Sequence, residues 1–208
     1  MKFRKSFFAA LVAAALCPVL SASSATFAPE EEIPGEPLQI NLTGPVTPIE
    51  KNGYTLTPLA EFQAEARVLS AHHYSTDRES QLVPVDLALG WKHMSEDAVL
   101  KKIEIRQDGR FYFWKTDAFP IPREEIETQS TNMHLIPADD IIEETLKSVK
   151  TGERVRFKGY LVEARGKDNW HWRSSLTRHD TGAGACELVY VTSLEVQDIN
   201  PPTHYVAR

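Results

Sequence analysis

The feature that most restricts how this chain can fold is the run Lys102-Ile103-Glu104-Ile105-Arg106-Gln107, then Asp108-Gly109, then Arg110-Phe111-Tyr112-Phe113-Trp114. Apolar and polar residues alternate before an Asp-Gly pair, and a run of four aromatic residues, typical of strands, follows it. That pattern marks two antiparallel strands joined by a two-residue turn. A type I′ turn needs positive φ at both central positions, which Asp and Gly tolerate. The segment is therefore expected to be a hairpin with its turn at Asp108-Gly109, and the chain around it must supply partners for its apolar face.

Other segments carry strand or helix periods of their own. Phe62, Ala64, Ala66 and Val68 alternate with Glu61, Gln63, Glu65 and Arg67, which puts one face of a strand in a core. Leu82 to Trp91 is apolar but interrupted by Pro84, so it reads as an edge strand or a packed loop. Ser95 with Glu96 and Asp97 behind it suits the start of a short helix. Asp139 or Asp140 suits the start of a second, with Ile141, Ile142, Thr145, Leu146 and Val149 on one side and Gly152 at its stop. Further strands are expected over Arg154 to Val162, Trp170 to Leu176 and Cys186 to Val196, with Gly159 as a bulge in the first of them. Together these give an α+β fold: a small, mainly antiparallel sheet or an OB-like barrel of about five to seven strands with two short helices.

The ends of the chain read differently. Lys2, Arg4 and Lys5 precede an uncharged run from Phe7 to Leu20, and Ser23-Ser24-Ala25 follows, the layout of a secretory signal peptide over residues 1–25. A 14-residue apolar run spans only about 21 Å as a helix, short of the roughly 30 Å hydrocarbon core, so an uncleaved membrane anchor is the poorer reading. Lipidation at Cys17 is disfavoured by bulky Leu16 before it and Pro18 after it. Residues 26–53 hold five of the 13 prolines together with Glu30, Glu31, Glu32 and Glu36, and show no sustained apolar period. They are expected to be a disordered tether. Residues 54–199 are then a single α+β domain, and residues 200–208, opening on Asn200-Pro201-Pro202, a tail.

Removing the signal changes the charge and the cysteine arithmetic. The segment holds three of the 23 basic residues and none of the 29 acidic ones, so the formal charge moves from −6 to −9. A surface that acidic argues against nucleic acid as a partner and against anionic membranes, which are met by clustered Lys and Arg. Membrane contact is expected only through an uncleaved signal. The alternation Arg154, Arg156, Lys158 reads as the outer face of a strand. Of two cysteines only Cys186 remains, which leaves no intramolecular disulfide.

Several segments form a recognisable set: Asp86-Leu87-Ala88-Leu89-Gly90-Trp91, Asn132-Met133-His134-Leu135-Ile136-Pro137-Ala138, Gly159-Tyr160-Leu161-Val162, and Ser174-Ser175-Leu176-Thr177-Arg178 with Asp180-Thr181-Gly182 and Gly184-Ala185-Cys186-Glu187 after it. As a set they resemble a group of exported or membrane-anchored proteins of Gram-negative bacteria that has no assigned activity. The likeness spans roughly Tyr54 to Val191, with Ser130-Thr131 departing from the usual Ser-Ala. It implies a location in the bacterial envelope and transfers no catalytic residue.

Motifs with familiar chemistry mostly fail in context. Asp180-Thr181-Gly182-Ala183 matches the loop of retropepsin-like proteases, but Arg178-His179 precedes it in place of an apolar strand, and only 26 residues follow Gly182. The same stretch fails as a dinucleotide fingerprint, because Glu187 stands where a third small residue belongs. Seven histidines show no metal-ligand spacing, so no metal and no cofactor is expected. Cys186 reads either as a small core residue or as a nucleophile with His134 or His179 as its base. Trp170 and Trp172 share one strand face, as do Tyr112 and Trp114, and such rings either stack a ligand or fill a sheet core. The expected binding residues are Arg178, Asp180, Arg173, Trp172 and Trp114. The chain is thus read as an exported, periplasmic, non-catalytic binding or accessory module of the cell envelope, whose partner is an envelope protein or a small ligand. The alternative is a hydrolase or transferase using Cys186 with His134 or His179.

Overall fold

A computed structural model describes residues 35–177 and 184–197. Over these residues the elements run in the order β1 (Leu38–Asn41), β2 (Ile49–Lys51), β3 (Tyr54–His73), β4 (Val85–Gly90), α1 (Asp97–Leu100), β5 (Glu104–Asp108), β6 (Phe111–Lys115), α2 (Arg123–Thr128), β7 (Ser130–Pro137), α3 (Asp140–Ser148), β8 (Arg154–Arg165), β9 (His171–Arg173) and β10 (Glu187–Gln197). Short 3-10 turns occupy Glu79–Gln81 and His93–Ser95. The fold is mixed α+β, as the residue patterns imply. Its main sheet has eight strands, beside a separate two-stranded hairpin, so the count exceeds the five to seven expected. None of the described helices is long and apolar enough to cross a membrane.

Five strands carry the architecture. β3 pairs β4, β4 pairs β7, β7 pairs β10 in parallel, β10 pairs β8, and β8 returns to pair β3. Every member of that ring has a partner on each side. The inward residues are those the alternation selects: Phe62, Ala64, Ala66 and Val68 from β3, with Val85, Leu87, Met133, Leu135, Val155, Phe157, Leu161, Val189 and Val191 from the other four. α3 closes onto this core with Ile142, Leu146 and Val149. It starts where Asp139 accepts a hydrogen bond from the Ile142 amide at 2.9 Å, one of the two caps the sequence allowed. Facing away from the ring core, Arg154 and Arg156 pair with Glu65 of β3; Arg154 is buried there, Arg156 half-buried and Lys158 exposed, so only part of the basic alternation meets solvent.

Several local expectations are corrected. The described part of the expected tether contains two strands, β1 and β2, which pair along the same edge of β3 that β4 continues. At 20 residues β3 is far longer than its alternating centre, and its edge offers unpaired backbone groups that a short extended segment can satisfy despite flanking prolines. Leu82 to Trp91 yields a central strand, because Pro84 stays just ahead of β4, where its missing N–H interrupts no ladder. Ser95 does not cap α1. It sits in the preceding 3-10 turn with its Oγ on the Lys92 carbonyl, and Glu96 takes the cap position. α2, a third helix, has no apolar period long enough to announce it. The strand expected over Trp170 to Leu176 shrinks to His171–Arg173.

Gly159 is not itself bulged. The register slips lie in its partners, between Val191 and Ser193 of β10 and between Pro58 and Ala60 of β3. Glycine is needed there for close approach, since a Cβ would lie 1.8 Å from the Tyr190 carbonyl oxygen.

The hairpin forms as expected, but its turn is one residue further on. Asp108 pairs with Phe111, so the two central residues are Gly109 (φ 55) and Arg110 (φ 72). Arg110 thus holds a left-handed backbone that costs an L-residue roughly 1–2 kcal/mol, and the reason lies in what its side chain reaches.

Candidate functional site

Asp86 of β4 and His134 of β7 are directly opposed in the antiparallel register. Their sequence neighbours Val85, Leu87, Met133 and Leu135 point into the ring, so by alternation Asp86 and His134 point out of it. They are nonetheless buried, at 0% and 3% exposure, because the β5–β6 hairpin and the segment around β9 lie over this face. His134 Nδ1 stands 2.9 Å from Asp86 Oδ1, off line for a hydrogen bond.

Arg110 supplies the countercharge. Its Nη1 donates to Asp86 Oδ1 and to the Val83 carbonyl, both at 3.0 Å, while Nε and Nη2 grip both oxygens of Asp77 at 2.9 and 3.0 Å. The guanidinium also lies 3.5 Å from the centre of the Tyr74 ring. The backbone of Arg110 is bound as well: its amide donates to Tyr74 Oη, and its carbonyl accepts from Asn132 Nδ2. Gln107 Nε2 adds bonds to the Asp86 carbonyl and to Asn132 Oδ1. A buried carboxylate must be paired, and the positive-φ turn is what aims Arg110 at it. Burial and then the charge of Asp86 push the Tyr74 phenol up to about 12.

Aromatic side chains wall the space above this floor. The Trp172 ring is 4.5 Å from His134, and Trp170 meets Trp172 edge to face at 6.2 Å and 79°. Arg78 lies 5.1 Å over Trp170 and is held by two 2.6 Å bonds to Asp168, whose carboxyl it keeps down at about 2. Arg110, His134, Trp170 and Trp172 line a cavity of about 300 Å³, with Glu79 and Phe111 at its rim and His171, Gly184 and Cys186 completing it. A second cavity of about 630 Å³ lies against the hairpin, among Phe113, Trp114, Phe119, Arg123, Thr131 and Glu187, and shares Phe111 and Cys186 with the first.

The expected site residues are divided by this geometry. Trp172, His134 and Cys186 meet at the smaller cavity. Trp114 belongs to the larger one, packed against Phe119. Arg173, next to Trp172 on β9, bonds Glu163 and lines neither cavity. Arg178, His179 and Asp180 lie outside the described residues. Cys186 is half-exposed, so it is not the enclosed core residue that one reading required. His134 is turned to Asp86 and Trp172. Among the described residues no three His, Cys, Asp or Glu side chains converge to hold a metal ion.

Sequence reasoning passed over Asp77, Tyr74, Glu79, Asp86 and Arg110. One signal for Asp86 was present: a lone carboxylate inside the apolar run Leu82 to Trp91 must find a cation once that run is buried. Comparison with protein-family models, with curated proteins and with solved structures finds no match to this chain.

Proposed function

We propose that this chain is an exported, periplasmic, non-catalytic binding module of the bacterial cell envelope, and that a small ligand or an exposed group of an envelope partner occupies the cavity between Arg110 and Trp172. The observation that carries this reading is the floor. Arg110 is held at φ 72 with its guanidinium shared between Asp77 and the fully buried Asp86, beside the buried His134. Strain and buried charge concentrated under a cavity are the usual company of a binding site. The cavity volume, about 300 Å³, and its mixture of indoles with a few polar groups suit a ligand of modest size. Placement supports the same reading by analogy: the cavity lies on the outer face of a strand ring beside its connecting loops, where OB-like rings hold oligomeric ligands. The acidic charge makes nucleic acid a poor candidate.

The Cys/His hydrolase or transferase has one observation in its favour, that Cys186 and His134 line a common cavity with Asp86 behind the imidazole. It ranks second because His134 turns its Nδ1 to Asp86 and packs its ring on Trp172. The test is retention. Wild-type protein, Trp172→Ala and Phe113→Ala are each equilibrated with the low-mass fraction of an envelope extract, ultrafiltered, and the retained molecules identified by mass spectrometry. The binding reading expects a species held by wild type and Phe113→Ala and lost by Trp172→Ala. The same retained set for all three proteins contradicts it.

A further inference from the structure

Glu79 is the unmatched group at this cavity. It opens the 3-10 turn between β3 and β4, is half-buried at the rim, and makes no ion pair or side-chain hydrogen bond among the described residues. Among the described residues the guanidinium groups near it are already engaged: Arg110 by Asp77 and Asp86, Arg78 by Asp168. Counting the histidines as uncharged, the four carboxylates Asp77, Glu79, Asp86 and Asp168 face two guanidinium groups, a local excess of two negative charges.

An anionic ligand would enter against that excess and find, among the described residues, no cation free to receive it. A cation would find the reverse. It would meet an unpaired carboxylate at the rim and indole faces that attract positive charge through their quadrupole. The site already shows this preference within the chain, since Arg78 lies 5.1 Å over Trp170 and Arg110 lies 5.9 Å from Trp172. His134, buried to 3% exposure on the cavity wall, has its Nδ1 turned to Asp86 at 2.9 Å, so it adds no cation to the cavity's open side.

Resting on the binding reading above, we propose that the ligand of this cavity presents an ammonium group, which seats against Trp170 and Trp172 and pairs with Glu79. Choline is a suitable probe. Its uncharged isostere 3,3-dimethylbutan-1-ol has the same shape, and acetate supplies the opposite charge. Calorimetry gives affinities, and tryptophan indole NMR signals give location. Choline should bind at least about tenfold tighter than the isostere, a difference of about 1.4 kcal/mol, and should move the indole signals of Trp170 and Trp172. Glu79→Gln, a nearly isosteric change at a half-exposed position, should erase most of that advantage, and Phe113→Ala in the other cavity should not. If the isostere or acetate binds the same indoles as well as choline does, the ammonium assignment is overturned while the cavity remains a binding site. If the three probes leave Trp170 and Trp172 unmoved while an extract molecule is still retained through Trp172, the assignment fails alone. If retention fails too, both readings fall together.

Discussion

Removing the Arg110 side chain is the most informative perturbation, because the residue combines a backbone cost with a buried charge. Arg110→Ala leaves Asp86, at 0% exposure, without its guanidinium, and stripping one partner from a buried pair costs about 3–5 kcal/mol. The Asp77 half of the contact adds little, since that carboxylate is 33% exposed. A loss of about 3 kcal/mol is expected, which for a domain of this size lowers Tm by roughly 10 °C. Arg110→Gly removes the same side chain but suits φ 72, so it should be about 1 kcal/mol more stable than Arg110→Ala. Asp86→Asn placed on Arg110→Ala removes the uncompensated charge and should recover much of the loss. Urea unfolding of the three variants and of Asp86→Asn alone completes a double-mutant cycle. If Arg110→Ala loses under about 1 kcal/mol, or if Asp86→Asn deepens its loss, then Arg110 is not the countercharge that holds the hairpin over the ring.

Further expectations concern alkaline pH, packing and the thiol. Burial pushes both Tyr74 and Tyr112 up to about 12 from an ordinary 10, and the native state therefore favours their neutral phenols. That stability is fully present below pH 10 and lost as pH rises towards 12. Phenolate absorbance should show Tyr74 and Tyr112 ionising late and together with loss of structure, with Tyr190, also raised by burial, behind the ordinary tyrosines, and Tyr112→Phe should ease the alkaline loss; ordinary titration near pH 10 by every tyrosine would contradict this. Gly159→Ala forces a Cβ to within 1.8 Å of the Tyr190 carbonyl oxygen, so it should cost about 3 kcal/mol by denaturant unfolding, and a neutral effect would mean β8 and β10 are not in this register. Cys186, being half-exposed, should react with a thiol reagent in the native protein and thereby block ligand retention at the adjoining cavity. A thiol that reacts only after unfolding would instead restore the reading of Cys186 as a core residue.

The parts of the fold that could be read in advance are those dictated by local periodicity. The alternation of β3, the Asp-Gly hairpin and the Asp139 cap each depend on a few adjacent residues, and each forms. What could not be read depends on partners distant in sequence. β1 and β2 exist because β3 offers them an edge, and short segments rich in proline do not declare that on their own. The turn moved from Asp108-Gly109 to Gly109-Arg110 because the choice was settled by bonds from Arg110 to Asp77 and Asp86, 33 and 24 residues away. The candidate site shows the same division. Trp172, His134 and Cys186 stood out by residue type, whereas Glu79 and Asp77 in an unremarkable polar loop acquire meaning only when the hairpin is laid beside them.

The central claim is that the space between Arg110 and the indoles of β9 and its leading residue Trp170 is where this chain meets its ligand. The indole signals of the four tryptophans test it within one experiment, because Trp91 is fully buried, Trp114 faces the larger cavity, and Trp170 and Trp172 wall the smaller one. During titration with the low-mass fraction of an envelope extract, the account predicts that the Trp170 and Trp172 signals shift and saturate while those of Trp91 and Trp114 stay in place. Saturating shifts at Trp114, with Trp170 and Trp172 unmoved, would contradict it and move the site to the other side of the hairpin.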